Sequence, residues 1–510
     1  MATSLTTKDV GERATGAPPG GTFFGHPRGL ATLFMTEMWE RFSFYGMRAL
    51  LPLYLIAGGP AADKGAQAGG LAMNAATATA IYSIYMAMVY LLAMPGGWFG
   101  DRVWGPRKTV TISAAIIMAG HLTLALPGEG PFFAGLALVA LGSGLLKANI
   151  STMVGHLYDG PDDPRRDGGF TVFYMGINIG AFAAPLVIGT VGQNYSWHLG
   201  FALAAAGMGL GLLQFLIGTR HLSPRSSTVP KPLTADERRA TLRKGLAWLV
   251  AAVAFYAVVV LSGSYTLNWA LVPITVIGLV IPIAVLVRIK RDRELSAGEQ
   301  SKMSGYIWFF VAAAVFWMIY DQGGSTMSIF GDTKASGELF GIGFPSSWYQ
   351  SVNPLWIMAL APVMAWGWTW LARRNQEPST TVKFAMGLIL IGASFFVFVI
   401  PMALASGGTK VTPLWLVAIY LIQTVGELCL SPVGLSVTTK MAPAKYGSQM
   451  MGVWFLAVTA GDCATSLLSL AGVDLNGSGI VALEAALACV AGFAVWMYRR
   501  RVTSLMGEVR

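Results

Sequence analysis

The chain has 510 residues, of which 54% are hydrophobic and only 12% are charged. Soluble domains carry about 25% charged residues, so this composition excludes an ordinary soluble enzyme and indicates a polytopic membrane protein. The formal net charge of +10 would suit nucleic acid only if the basic residues formed a surface patch.

Fourteen apolar runs follow one another too closely to be the cores of separate globular domains. A run of roughly 20 residues crosses the hydrocarbon core of a bilayer, and we predict one transmembrane helix for each. The runs cover residues 29–57, 73–99, 109–126, 132–158, 169–191, 197–219, 245–262, 268–287, 304–330, 348–371, 383–404, 412–439, 447–470 and 477–498. The first 28 residues are polar and lack the apolar region of a signal peptide.

The longest connections on the inner side flank the seventh and eighth runs. They divide the chain into six, two and six helices. We therefore predict an all-α membrane protein with six-helix bundles at 29–219 and 304–498. Linkers and an extra helix pair at 220–303 join the bundles, and the terminal tails are 1–28 and 499–510. Two related bundles of this kind are typical of transporters with a substrate site near the midplane of the membrane.

The basic residues have a strongly uneven distribution between the connecting loops. If the N-terminus lies in the cytoplasm, the inner segments hold 29 Lys and Arg, and the outer loops hold only Lys64, Lys334 and Lys410. This asymmetry follows the positive-inside rule. It predicts a multi-pass protein of the cell inner membrane with both termini cytoplasmic. The positive charge then encodes orientation and lipid contact, and we predict no nucleic-acid partner.

The first apolar run carries four charges in LFMTEMWERFSFYGMRALLPLYL, at Glu37, Glu40, Arg41 and Arg48. Each charge at the centre of a bilayer costs about 2.5–3.5 kcal/mol on insertion scales. At 100° per residue these four side chains and Tyr45 share one helix face about 140° wide. A self-neutralising Glu37–Arg41 pair would account for two charges only. We therefore predict that this face lines a polar pathway inside the protein.

The loop at 96–108 reads GGWFGDRVWGPRK and joins the second and third runs. Its glycines allow close helix packing, and Asp101 and Arg102 lie at the membrane edge. We interpret these two residues as gating residues on the inner side. The alternative is a basic anchor with no gating role.

Further polar residues lie inside later runs, where lipid offers no hydrogen-bond partner. Tyr174 and Asn178 are four residues apart and share a helix face. The others are Tyr90, Lys147, Asp321, Asn353, Glu427, Ser431, Trp454 and Asp462. Cations concentrate in the first half and carboxylates in the second, which suits a zwitterion with its carboxylate at Arg41 and Lys147 and its ammonium at Glu427. Asp462 stands among small residues and is interpreted as structural.

Motifs of soluble catalysis are absent from the sequence. There is no metal-ligand cluster, phosphate loop or nucleophile motif, and the three cysteines lie in apolar runs. We predict no enzyme activity, no metal, no cofactor and no disulfide framework.

Several of these segments resemble one family. EMWERFSFYGMRALL contains an ExxER motif similar to that of the proton-coupled oligopeptide transporters of the major facilitator superfamily, and FYMGINIGAF, SVNPLW and GELCLSPVGLSV resemble further segments of that family. The resemblance covers about residues 29–496. The fourteen-helix count resembles the bacterial members, which insert an extra helix pair between two six-helix bundles. The loop at 96–108 resembles the gating loop of the whole superfamily and is less specific.

The resemblance implies a role for each matching residue. Proton coupling falls to Glu37, Glu40, Arg41, Lys147 and Glu427. Substrate binding falls to Arg41, Tyr45, Tyr90, Lys147, Tyr174, Asn178, Asn353, Glu427, Ser431 and Trp454. Arg48 with Asp321 would close the outer gate, and Lys147 with Glu427 would form an alternating ion pair. Phe44 departs from the tyrosine that many members carry, and the second run has no histidine, so carboxylates must carry the proton.

We therefore predict a symporter that imports di- and tripeptides with protons as the coupling ion. Its partners would be the peptide, protons and membrane lipid, and a monomer would be sufficient for transport. Two alternatives stay open. A symporter of another small anion, such as nitrate, would not need Glu427, because nitrate has no ammonium group. A peptide-sensing receptor would bind peptide without flux, and a channel is disfavoured because paired opposite charges trap ions.

Overall fold

The computed structural model describes residues 22–63, 67–160 and 163–507. Most of the predicted tail 1–28, Lys64 and the last three residues of the chain lie outside these ranges. The described part is built almost entirely from helices, with two short antiparallel hairpins. Strands β1 (Thr22–Phe23) and β2 (His26–Pro27) form one, and β3 (Glu338–Leu339) and β4 (Ile342–Gly343) form the other.

The first half contains eight α-helices. They are α1 (Gly29–Ile56), α2 (Ala75–Leu91), α3 (Ala93–Phe99), α4 (Pro106–Leu124), α5 (Glu129–Gly155), α6 (Arg166–Ala184), α7 (Thr190–Asn194) and α8 (Trp197–Gly218). Short π-helical turns extend α3 and join α6 to α7. The Asn74 side chain caps α2 by accepting the Thr77 N–H at 2.8 Å. Pro106 opens α4 at a position where its missing N–H costs nothing.

The second half contains ten α-helices. They are α9 (Ala235–Leu261), α10 (Asn268–Lys290), α11 (Ala297–Tyr320), α12 (Thr326–Thr333), α13 (Val352–Arg373), α14 (Thr380–Ala405), α15 (Leu414–Met441), α16 (Gly447–Leu470), α17 (Ser478–Met497) and α18 (Arg499–Met506). Helices α9 and α11 begin well before the predicted starts at residues 245 and 304. Capping boxes at Thr234–Glu237 and Ser296–Glu299 start both helices in polar sequence outside the apolar runs.

Twelve helical segments among the described residues are long and apolar enough to cross a membrane. Two further helices pack among them. Helix α1 is buried in the protein despite its four charges, and α4 opens with the basic pair Arg107 and Lys108. The prediction of a fourteen-helix membrane protein is confirmed. The exact domain boundaries stay a prediction.

Two separate apolar cores mark the two bundles. One is formed by α1, α2, α4, α5, α6 and α8, with Phe44, Phe132 and Phe201 among its buried rings. The other is formed by α11 and α14 to α17, with Phe309, Phe384 and Phe395. The bundles meet where α2 packs on α16 and where α6 packs on α13. The polar residues predicted as a site therefore lie on helices that border this interface.

The extra helix pair lies beside the bundles and does not separate them. Helix α10 packs against α2 and α16. Helix α9 buries only Val259 and turns apolar side chains such as Trp248 outward. The part of α9 after Lys244 carries no charge, and exposure of such an apolar stretch is what a lipid-facing helix requires.

Helices α3 and α5 approach closely, as the glycines of the loop predicted. A Cβ at Gly96 would lie 2.6 Å from the carbonyl oxygen of Gly144, so neither helix has room for a larger residue there. The short distance fixes the position of the polar residues on α5.

Candidate functional site

Helix α1 turns its charged face into the first bundle, as predicted. Arg41 Nε lies 2.9 Å from Glu37 Oε1 and 2.6 Å from Glu40 Oε2. Ser143 on α5 donates to Glu40 Oε1 at 3.1 Å. All three charged side chains are at least 95% buried in the protein. The insertion cost of these charges is therefore met by protein partners.

Two carboxylates share one guanidinium in this cluster, so its charges do not cancel. Arg41 Nη2 is buried and has no hydrogen-bond partner among the described residues. A buried N–H group without a partner is rare in folded proteins. Arg41 therefore keeps a donor available for a further anion.

Lys147 lies on α5 in the same interior. Its Nζ is 3.6 Å from the centroid of the Tyr90 ring and 5.7 Å from that of Phe455. Within the described ranges it forms no ion pair with any carboxylate. The predicted Lys147–Glu427 pair is therefore not made in this conformation. The two aromatic faces stabilise the ammonium group by cation–π contact.

Glu427 on α15 is held by neutral donors. Tyr320 donates its hydroxyl to Glu427 Oε2 at 2.6 Å, and the Asn353 amide donates to the same oxygen at 3.2 Å. Asn353 also donates to Thr424 at 2.9 Å. Ser431 lies one turn further along α15, and its Oγ has no partner among the described residues. Glu427 therefore keeps its negative charge unpaired on the second bundle.

The predicted aromatic and amide residues occupy different environments. Tyr174 is exposed, and the Asn178 amide donates to its backbone carbonyl at 3.0 Å. The guanidinium carbon Cζ of Arg48 lies over the Tyr45 ring, 5.6 Å from the ring centroid. Trp454 is buried against Gly434 and the ring of Phe384. Trp454 therefore packs in the core of the second bundle in this conformation. Tyr174 is exposed beside the interface between the two bundles.

Arg48 joins the bundles at the face of the protein opposite the chain termini, which we call the closed face. Its Nη2 lies 3.1 Å from Asp321 Oδ1, and its Nε donates to the Tyr82 hydroxyl at 2.5 Å. Asp321 follows α11 directly, in a single 3-10 turn that interrupts the predicted run 304–330. The predicted Arg48–Asp321 pairing is therefore present between the bundles.

Further hydrogen bonds close the same face. Gln193 donates to Ser346 at 2.8 Å, the Trp348 indole donates to Thr190 at 2.8 Å, and Ser351 donates to the carbonyl of Phe182 at 2.7 Å. Lys410 pairs with Asp63 at 2.7 Å. Each of these contacts joins the first bundle to the second.

The face that carries the termini, the terminal face, has a different set of contacts. Arg102 pairs with Glu237 at 2.8 Å, and the backbone N–H of Lys231 donates to the carbonyl of Asp101 at 2.9 Å. The linker before α9 and the first turn of α9 therefore hold the predicted gating residues Asp101 and Arg102. Lys445 pairs with Asp292 at 2.6 Å on the other linker. These pairs bind linkers to their neighbouring bundles.

One sizeable cavity does not coincide with these polar residues. It measures about 900 Å³ and lies beside α13, α14 and α15 near the terminal face, with Glu377 and Lys383 in its lining. Those two side chains pair with each other at 2.5 Å. The polar interior between the bundles is the better candidate site, because it gathers unpaired charge of both signs.

Several site residues were missed in the sequence. Ser143, Tyr82 and Tyr320 bind the charged groups and were not predicted. Weak signals for them exist: Ser143 is four residues before Lys147, Tyr82 is eight residues before Tyr90, and Tyr320 precedes Asp321. The described residues contain no group of three or more His, Cys, Asp or Glu placed to hold a metal ion.

Comparisons with known proteins give one consistent result. The sequence model of the POT family matches residues 107–473. A di-/tripeptide transporter of Lactococcus lactis subsp. cremoris is 39% identical over 496 residues, covering 96% of this chain and 98% of its own. The uncharacterized transporter YclF of Bacillus subtilis is 44% identical over 440 residues and covers 86% of each chain.

A solved structure has the same fold. The crystal structure of the peptide transporter POT in complex with sulfate superposes with a TM-score of 0.90 at 42% identity, covering 96% of this chain and 97% of that one. The prediction of a major facilitator fold with fourteen helices is confirmed. The roles assigned to individual residues stay predictions.

Proposed function

This chain belongs to the POT family, and we propose that it is a proton-coupled symporter that imports di- and tripeptides by alternating access. One observation carries the proposal. Lys147 on the first bundle and Glu427 on the second form no ion pair among the described residues, and Arg41 keeps a donor without a partner there, in an interior bordered by both bundles. A zwitterion of peptide size would bridge the cations of the first bundle and the carboxylate of Glu427 on the second.

The carboxylate end of the peptide would bind at Arg41 and Lys147. Arg41 Nη2 is a buried donor with no partner among the described residues, and the planar guanidinium suits a carboxylate. Lys147 contacts the Tyr90 ring and forms no ion pair among the described residues, so a carboxylate reaching it displaces no ion pair there. Charge-assisted hydrogen bonds to both groups would be stronger than neutral ones.

The ammonium end would bind at Glu427. Tyr320 and Asn353 orient the carboxylate without neutralising it, and the second oxygen stays available. Asn353, Asn178 and Ser431 offer hydrogen bonds to the peptide backbone, while Tyr45, Tyr90, Tyr174 and Trp454 supply aromatic surface nearby. Because these contacts address the termini and the backbone, we expect broad tolerance of peptide side chains.

Proton coupling would follow from competition for Arg41. Glu37 and Glu40 share this one guanidinium, and a peptide carboxylate would be a third anion. When the peptide binds, one of the glutamates gains by taking a proton, because a third negative charge beside one cation is unfavourable in a buried site. Release of the peptide then favours release of the proton. Lys147 and Glu427 would pair when the substrate is absent.

The gates and the orientation complete the proposal. Arg48 and Asp321 would be the outer gate, and the loop with Asp101 and Arg102 would take part on the inner side. The protein would lie in the cell inner membrane with its terminal face toward the cytoplasm, because the basic residues concentrate on that face. A monomer encloses every residue invoked, and the proton is the coupling ion without a further cofactor.

The proposal is tested by Glu427→Gln in proteoliposomes with labelled dialanine. We expect loss of accumulation driven by an inward proton gradient, with peptide counterflow preserved, because glutamine keeps the hydrogen bonds and cannot ionise. Glu484→Gln is the matched control: Glu484 is a buried carboxyl in the same bundle that accepts from Gln322 at 2.8 Å. Full accumulation by Glu427→Gln would contradict the role of Glu427. Efficient competition by nitrate would favour the small-anion symporter.

A further inference from the structure

A groove of about 630 Å³ runs along the outside of the first bundle between α1 and α8, and it has no role in the proposed function. One wall is a face of α1 over residues 28–39, and the other is a face of α8 and the turn after it over residues 210–221. Thr22 and Phe23 of β1 border the end at the terminal face. Because all of this lining belongs to the first bundle and its hairpin, the groove is separate from the polar interior between the bundles.

A close contact between the two walls places two arginines at the same end of the groove. A Cβ added to Gly29 would lie 2.6 Å from the carbonyl oxygen of His221. Arg28 directly precedes Gly29 in the chain, and Arg220 directly precedes His221. Both arginines line the groove, and they do so where it meets the terminal face.

The charge of these two arginines is not balanced in the groove. Its lining contains no Asp or Glu. Within the described ranges, neither Arg28 nor Arg220 forms an ion pair. By contrast, Arg102 at the same face pairs with Glu237 at 2.8 Å. The terminal end of the groove therefore offers two guanidinium groups to an anion.

The rest of the groove is apolar. Leu210, Leu213 and Ile217 on α8 are each at least 50% exposed. The polar side chain among them, Gln214, already accepts a hydrogen bond from Thr36 at 3.2 Å. The surface that continues from the arginines therefore suits a hydrocarbon chain.

The length of the groove matches one leaflet of a bilayer. At 1.5 Å per residue, Arg28 and Trp39 are separated by roughly 16 Å along α1. At the far end a Cβ added to Gly211 would lie 2.9 Å from Cβ of Trp39, which closes the gap between the helices. Half of the hydrocarbon core is about 15 Å thick. A groove with its cationic end at the membrane surface therefore reaches close to the midplane.

We propose that this groove binds one anionic phospholipid, with the phosphate at Arg28 and Arg220 and an acyl chain along Leu213 toward Trp39. Guanidinium groups bind phosphate oxygens through paired, charge-assisted hydrogen bonds. A zwitterionic lipid would place its own ammonium group beside the same two arginines, so the groove favours a lipid with net negative charge.

The test measures lipid binding to the purified full-length protein by native mass spectrometry. The probes are phosphatidylglycerol and phosphatidylcholine with identical acyl chains, and inorganic phosphate is the competitor. The double variant Arg28→Gln with Arg220→Gln removes the charge of the groove. The matched control is Arg243→Gln with Lys244→Gln, which removes the same charge from exposed residues of α9 outside the groove.

We expect the parent protein and the control to bind phosphatidylglycerol more tightly than phosphatidylcholine. A basic residue near an anionic lipid contributes about fivefold in affinity, so the groove variant should lose at least that factor for phosphatidylglycerol and little for phosphatidylcholine. Inorganic phosphate should not displace the lipid, because it has no acyl chain. Equal losses in the two double variants, equal affinity of the parent for the two lipids, or displacement by inorganic phosphate would each overturn the inference.

A second measurement locates the lipid and does not depend on the arginine variants folding. The parent protein is placed in phosphatidylcholine nanodiscs with a small fraction of phosphatidylglycerol brominated on its acyl chains, and bromine quenches the fluorescence of tryptophans that it contacts. Quenching should fall in Trp39→Phe and persist in Trp248→Phe, which removes an exposed tryptophan of α9 outside the groove. Equal quenching in both variants would overturn the inference. Neither readout involves peptide, so both outcomes are independent of the proposed transport.

Discussion

Two ionic clusters of similar chemistry lie in opposite environments in this molecule. The interior cluster on α1 combines Arg41 with Glu37 and Glu40, all at least 95% buried. The cluster at the terminal face combines Lys445 with Asp292 and Glu294, and Lys445 remains 45% exposed. Their ion-pair distances are almost the same, between 2.6 and 2.9 Å. Distance alone therefore does not distinguish the two.

The difference lies in the water around each cluster. Removing ions from water costs several kcal/mol per ion, and a buried pair repays this only with good geometry and further hydrogen bonds. A surface pair costs little and contributes little. Charges are therefore retained in the interior where function needs them, and the predictions below test this contrast from the largest expected effect to the smallest.

Arg48→Leu should have the largest effect, because it leaves Asp321 buried without its cation. Breaking a buried ion pair from one side typically costs about 3–5 kcal/mol. We expect a marked drop in melting temperature in detergent and loss of dipeptide uptake.

The double variant Arg48→Leu with Asp321→Leu is the control for this prediction. Replacing both partners with apolar side chains is often neutral for stability, so most of the melting temperature should return while uptake stays lost. Equal melting temperatures for the single and double variants would contradict the cost assigned to a buried Asp321 without its cation.

Ser143→Ala should have an intermediate effect. It removes the donor to Glu40 Oε1 and leaves that buried carboxylate with Arg41 alone. A hydrogen bond to a charged group is worth about 1.5–3 kcal/mol, and thermal unfolding should show a loss in this range. Ser151→Ala on the same helix is the matched control. Ser151 is exposed, and its hydroxyl donates a hydrogen bond to the Lys147 carbonyl at 3.4 Å. Equal shifts in both variants would contradict the importance of burial here.

Asp292→Asn should have the smallest effect, with a definite pH dependence. Hydrogen bonds from Lys445 and Tyr446 hold the pKa of the Asp292 carboxyl well below its usual range. Because the folded pKa is depressed, the contribution is present above the unfolded value, about 4, and is lost as pH falls through the folded value.

The melting temperatures of Asp292→Asn and the parent protein should therefore differ slightly at neutral pH and converge in strong acid. High salt should reduce the difference, since exposed charges are screened. A difference that persisted in strong acid would contradict this explanation.

The fourteen helices and the charged face of α1 could be predicted because each depends on local sequence. Apolar length determines which segments cross the membrane, and the 100° period places Glu37, Glu40 and Arg41 together. The pairing of Arg48 with Asp321 across the bundles was predicted through family resemblance. The starts of α9 and α11 were predicted too late, because capping boxes extend both helices into polar sequence that apolar length does not reveal.

Hydrogen-bond partners from distant segments could not be predicted in the same way. Ser143 is ordinary in sequence, and only the close approach of α1 and α5 makes it the donor to Glu40. Trp454 was predicted to bind substrate, yet its ring packs into the core of the second bundle. Asp462 was interpreted as structural, and its buried Oδ2 has no hydrogen-bond partner among the described residues.

By itself, the sequence determined that the chain crosses a membrane many times and which charges lie inside, while the orientation indicated by the basic loops stays a prediction. These properties follow from transfer of side chains between water and lipid, which each residue experiences largely on its own. Only the tertiary structure decided that Lys147 contacts Tyr90, that Glu427 binds Tyr320, and that Ser143 binds Glu40. Those contacts depend on how the bundles pack, because a buried polar group takes whichever partner the neighbouring helix presents.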